Sequence, residues 1–222
     1  MDMDTFSQCL TYVQAATSNK AQLDKVLPII GTLLGTGLGF GLNQFVSWRK
    51  EGRSKQSKKL CCEEDLHELI SVSKLGIAAA LEFGHSLASH IRPANHNLPR
   101  YIDAPLLDKY YYEIAHNFSM DQRYWIKLVF RNIEEVNMEL EQLLDPKETS
   151  LFRLSLTVLN LEMSLRRLML LAQSAHENTF HVISESTDFL LFLGMDKSHV
   201  ESLQALAENA QERNKILALS NK

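Results

Sequence analysis

Cysteine is scarce in this chain of 222 residues: three in all, at positions 9, 61 and 62. That count and spacing exclude a disulfide-stapled secreted scaffold. Net charge is small, −4, so a nucleic-acid binder working through bulk positive charge is also excluded. The chain has no Walker loop, no dinucleotide fingerprint, no HExxH and no CxxC. No set of Ser, His and Asp, or of Cys and His, can be placed on a shared loop, and the sequence gives no sign of an enzyme. Nor does any segment alternate convincingly as a strand would. Hydrophobic residues make up 45% and charged ones 23%, which argues against intrinsic disorder.

One segment stands apart from this average. Five of the nine glycines lie between Gly31 and Gly41, inside the run VLPIIGTLLGTGLGFGLNQFVSW that extends from Val26 to Trp48 without a charge. At about 1.5 Å per residue such a helix is long enough for the ~30 Å hydrocarbon core of a bilayer. Pro28 suits a first helical turn and Trp48 an interface. The spacing therefore predicts a transmembrane helix at 26–48. The 25 residues before it include Asp2, Asp4 and Asp24 and open with no basic region, which argues against a cleaved signal peptide.

Flanking charge predicts orientation. Arg49, Lys50, Arg53, Lys55, Lys58 and Lys59 follow the run, and only Lys20 and Lys25 precede it. By the positive-inside rule, residues 1–25 form a short extracytoplasmic tail and the C-terminal part is cytoplasmic, anchored at the inner membrane. The six bases fall in the segment 49–59, RKEGRSKQSKK, expected as a juxtamembrane connector on anionic headgroups. No aromatic interleaves them, so membrane lipid is the expected partner and nucleic acid is not. Cys61 and Cys62 are expected as free thiols in reducing surroundings.

Within the run, Thr32, Thr36, Gly39, Asn43 and Ser47 share one helical stripe, and Leu34, Leu38 and Phe45 lie roughly opposite. Gly31 and Gly35 flank the polar stripe on one side, Gly37 and Gly41 on the other. Small residues four apart let helix backbones approach closely in lipid. Two such flanks imply two neighbours per helix, hence a homo-oligomeric ring with Thr32, Thr36, Asn43 and Ser47 facing its lumen.

Residues 60–222 read as a helical bundle, so the fold class is all-α: one N-terminal transmembrane helix, then a cytoplasmic bundle. Leu66, Ile70, Ile77, Leu81 and Ile91 recur at helical spacing over 60–92, with Pro93 as the stop. A loop with three prolines covers 92–105, and a short helix follows at 106–117. Ser119 and Gln122 predict a capping box for a helix carrying Trp125, Val129, Ile133, Val136, Leu140 and Leu143 on one face. Asp145-Pro146-Lys147-Glu148 reads as the next helix start.

The helix so begun, over about 147–177, is apolar on two sides. Leu151, Leu154, Val158, Leu161, Leu165 and Leu168 make one stripe; Phe152, Leu156, Leu159, Met163 and Leu170 make the other. It is either central to the bundle or faces another subunit. The cluster FLLFL at 189–193 ends at Gly194 and is expected in the core. Ser198 and Glu201 are expected to cap a final helix with Val200, Leu203, Ala207, Ala210, Asn214 and Leu217 at 3-4 spacing.

Three Glu-x-x-His pairs occur: Glu64/His67, Glu82/His85 and Glu113/His116. Such pairs can hold a di-metal centre in a bundle, but only when they project inward. These lie away from the apolar stripes, so surface positions are expected, with no metal and no cofactor. Tyr110-Tyr111-Tyr112 is expected to pack on the bundle, the alternative being that it and the proline loop recognise a ligand or partner.

The segment IIGTLLGTGLGFGLN, followed by WRKEGRSKQSKK, resembles in architecture the single-span effectors of bacterial anti-phage systems. In those proteins a cytosolic module controls a membrane-disrupting part. The resemblance covers residues 26–59. It implies a pore-forming or membrane-disrupting oligomer held in check by a regulatory protein or small ligand on the cytoplasmic domain. The competing reading is a membrane-tethered helical adaptor or accessory subunit whose span is a passive anchor.

Overall fold

The structure is a computed structural model and describes residues 7–8, 10–12, 20–182 and 186–220; the side chains of 20–31, 34 and 216–220 lie outside the description. Every regular element among the described residues is helical. They are α1 (Lys20–Ala88), α2 (Pro105–Ile114) with a 3₁₀ turn at Ala115–Asn117, α3 (Met120–Leu144), α4 (Leu151–Glu177), α5 (Thr187–Phe192) and α6 (Lys197–Ser220). The chain divides into two compact units, Met1–Gln56 and Ser57–Lys222, a boundary that falls inside the basic segment 49–59.

In the second unit the core follows the helical spacing of the sequence. Leu66, Ile77 and Leu81 of α1 are buried, as are Trp125, Val129, Ile133, Val136, Leu140 and Leu143 of α3. α3 and α4 pack as an antiparallel pair, with Gln122 near the start of α3 donating to the carbonyl of Ala175 near the end of α4. The capping box is present in both halves: Ser119 Oγ accepts from Gln122 N, and Gln122 Oε1 accepts from Ser119 N.

α4 is central. Its first stripe from Leu154 to Leu168 is buried, whereas Phe152, Leu156 and Leu159 are half-covered and Met163 is exposed. The Arg213 guanidinium lies 4.3 Å over the Phe152 ring and covers part of that second stripe. α4 ends at Asn178, which takes the left-handed conformation and donates its N–H to the Ser174 carbonyl.

The connector expected at 49–59 is itself helical, so the helices expected at 26–48 and 60–92 are one unbroken α1. Within the second unit the helix ends depart from the sequence reading at three places. α1 stops at Ala88, before Pro93, because His90 adopts φ 60° and closes a Schellman turn: His90 N donates to Leu87 O and Ile91 N to Ser86 O. Ile91 thereby leaves the helix and is exposed. Asp145-Pro146-Lys147-Glu148 forms a turn, and α4 begins at Leu151 behind an N-cap at Ser150. Asp145 Oδ1 turns back to Lys147 N, and the Arg92 guanidinium takes the carbonyls of Asp145, Leu143 and Glu148. Carbonyls so engaged are held out of a helical ladder.

The third departure is at α6. Asp196, and not Ser198, serves as the cap, its carboxylate accepting from the N–H of Ser198 and of His199. Along α6, Val200, Leu203 and Ala210 are buried, Asn214 is exposed, and Leu217 lies outside the described side chains.

The FLLFL cluster is only partly core. Leu190 is fully buried, but Leu191 and Phe192 are exposed, because α5 is a helix of six residues with room for one inward position. Gly194 closes it at φ 83°, with Met195 N donating to Leu190 O.

Candidate functional site

α1 carries the uncharged run in the first unit. From Thr32 to Lys50, every described side chain is exposed. Leu33, Leu38, Phe40, Leu42, Phe45, Val46 and Trp48 form apolar surface on every side but that of the polar stripe, and the Phe45 and Trp48 rings lie 6.5 Å apart. A soluble monomer seldom leaves so much contiguous apolar surface open. Among the described residues, no helix is long and apolar enough to cross a membrane. The run begins earlier, and the side chains of Val26 to Gly31 and of Leu34 lie outside the description.

Gly31 therefore falls outside what is described. Around Gly35, Gly37, Gly39 and Gly41 a Cβ would meet nothing within 4 Å, so both glycine flanks are open. On the polar stripe, Thr36 Oγ1 donates to the Thr32 carbonyl at 2.7 Å, satisfying that hydroxyl within its own helix. Asn43 and Ser47 are exposed.

The basic residues sort into two groups. Arg49, Lys50 and Arg53 are exposed, and Lys55 pairs with Glu51 one turn earlier at 2.8 Å. Lys58 and Lys59 belong to the second unit, where both are turned onto the bundle. Lys58 binds Glu113 and lies 5.7 Å over the Tyr110 ring; Lys59 pairs with Glu63 and lies 5.5 Å over Phe118. This arrangement also accounts for the tyrosine triplet. Tyr110 meets Lys58, Tyr111 is buried against Phe118 and Phe130, and exposed Tyr112 stacks on Phe130 at 7°.

Cys61 is half-buried and Cys62 fully buried, both as free thiols. Burial first, then the neighbouring Asp65, pushes the Cys62 thiol up to about 12, so it stays protonated and unreactive near neutral pH.

The Glu-x-x-His pairs do not converge. Glu64 and His67 are exposed on α1, and Glu113 is taken by Lys58. Glu82 meets Asn97, and His85 turns toward α6. Among the described residues, no cluster of three metal-ligating side chains is present.

Two concave regions in the second unit escaped the sequence. One, of about 1190 Å³, lies between the proline loop and α3, walled by Arg100, Tyr101, Glu134, Met138 and Glu141. Asn137 fixes this loop on α3 by bonding both the N–H and the C=O of Ile102 at 2.8 Å. The other, of about 490 Å³, lies between α1 and the turn leading into α6. At its edge the His85 and His199 rings are 4.9 Å apart. Ser202 donates its single hydroxyl proton to the Ser198 carbonyl, so its oxygen accepts from His85 Nδ1 at 2.8 Å.

No protein family, curated protein or solved structure matches the chain.

Proposed function

We propose that this is a membrane-anchored helical protein that assembles with copies of itself through its N-terminal helix. In this reading the domain from Ser57 onward is cytoplasmic and controls a membrane-disrupting oligomer, as in the effectors that the segment resembles. One observation carries it: an uncharged helix segment from Thr32 to Trp48 whose described side chains are all exposed and in which a Cβ at Gly35, Gly37, Gly39 or Gly41 would meet nothing. Together with Val26–Gly31 the run has 23 residues, enough at about 1.5 Å each for the bilayer core. The glycines give bare backbone, which in lipid is where another helix packs.

A second reading has an observation of its own. Because the Thr36 hydroxyl is already satisfied by Thr32, the polar stripe has less need of a wet lumen. That favours a tethered adaptor with the helix as anchor. Voltage-dye measurements on cells expressing the chain separate the two. The pore reading expects depolarisation by the native chain, an assembled but silent Asn43→Leu through dewetting, and a disassembled Gly35→Leu. A native chain that never depolarises cells, with assembly intact, leaves the adaptor.

A further inference from the structure

The cavity between α1 and the turn into α6 has the make-up of a ligand site. Its volume, about 490 Å³, lies within the roughly 300–1,000 Å³ usual for small-molecule pockets. One wall is apolar, with Leu75, Ala78 and Met195 among its residues; Leu75 is a large apolar side chain left 72% exposed. The other end is polar and acidic, with Glu82 and Asp196, and Asn97 and His199 beside them. Among the described residues, no lysine or arginine lines it.

The two carboxylates differ in how they are held. Glu82 Oε2 accepts from the Asn97 amide at 3.4 Å. Asp196 Oδ1 accepts from the Ser198 and His199 backbone and from the Ser198 hydroxyl, and these bonds keep its carboxyl below the usual range. Both walls are well supported beneath: Ala79 and Leu81 of α1 are buried, and α6 closes on α1 where a Cβ at Gly84 would touch Leu203 and Leu206. A cavity lined by apolar side chains and by two carboxylates, without a basic residue among its described lining, selects for a positive group on an apolar body.

We propose that this cavity binds a small organic cation with a compact apolar body, its charged head between Glu82 and Asp196 and its body against Leu75 and Met195. Bound there, the cation bridges α1 to the start of α6. The site deepens the reading above, since it supplies the small ligand through which the domain from Ser57 onward would be controlled, and its consequence for control rests on that reading.

The test uses the full-length chain in detergent, with benzamidinium as the probe and benzyl alcohol and benzoate as neutral and anionic counterparts, followed by calorimetry. Benzamidinium should bind, benzoate should not, and benzyl alcohol should bind at least about tenfold more weakly. Glu82→Gln should weaken benzamidinium by about tenfold or more, and Ala78→Phe, which fills the cavity from an exposed position on α1, should abolish binding. No binding of benzamidinium up to about 10 mM, equal binding of benzoate, or unchanged binding in both variants would overturn the site. Crosslinking on the same samples reads assembly separately. Loss of the site with assembly intact removes this inference alone, and a chain that binds benzamidinium but never assembles removes the function proposed above.

Discussion

Asp65 of α1 accepts the backbone N–H of Leu107 at 2.8 Å, and that of Leu106 at 2.7 Å, so one helix caps the N-terminus of another across 41 or more residues of chain. Ala104, the residue before α2, supplies no side-chain cap of its own, and Pro105 has no N–H to satisfy. Asp65 is buried beside Cys62 and Leu66, and this bond is what makes a carboxylate tolerable there.

Asp65→Ala should therefore destabilise the domain by about 1–2 kcal/mol, the usual cost of losing a cap. Chemical denaturation measures it. Hydrogen exchange at Leu106 and Leu107 should rise before exchange elsewhere in the bundle.

Glu162 and Arg166 form a second buried device, one turn apart on α4 at 2.6 Å, with Arg166 also donating to the Ser186 carbonyl. Burial raises the Glu162 carboxyl, and the Arg166 charge opposes that rise. Glu162→Gln leaves the guanidinium buried without its counter-charge and should cost about 3–5 kcal/mol. Replacing both residues by Met should cost far less. A double variant as unstable as the single one would show that Arg166 matters mainly through Ser186.

Glu139 behaves differently. Its Oε2 is buried without a partner among the described residues, and burial, with Glu135 adding to it, raises its carboxyl while Ser164 and Arg167 oppose this. A carboxyl raised on folding favours the folded state only while protonated, so its contribution is lost as pH rises through the folded value. Glu139→Gln should thus match the native chain near pH 4 and gain on it toward neutrality. Thermal melts across that range give the comparison, and a constant difference would contradict it.

These polar devices explain what the sequence hides. Trp125 to Leu143 can be read as a buried face because period and hydrophobicity agree there. Asp65, Glu162 and Arg166 interrupt such faces, and a single sequence gives no way to tell an inward carboxylate from a solvated one. The start of α4 is hidden for a related reason: Arg92, more than 50 residues away, holds the carbonyls of Asp145 and Glu148. The α1–α6 cavity has no local signature either, since Glu82 and Asp196 line it only through tertiary packing. The glycine pattern of 31–41 is the opposite case, since its spacing is local to one helix and is visible without any tertiary contact.

Disulfide crosslinking in native membranes tests the central claim most directly. With Cys9, Cys61 and Cys62 replaced by serine, a chain carrying both Gly35→Cys and Gly41→Cys places one thiol on each glycine flank. Two neighbours per helix predict that oxidation yields a ladder reaching three or more chains in the membrane fraction. A chain recovered from the soluble fraction, or one that stops at dimer, would contradict the membrane ring.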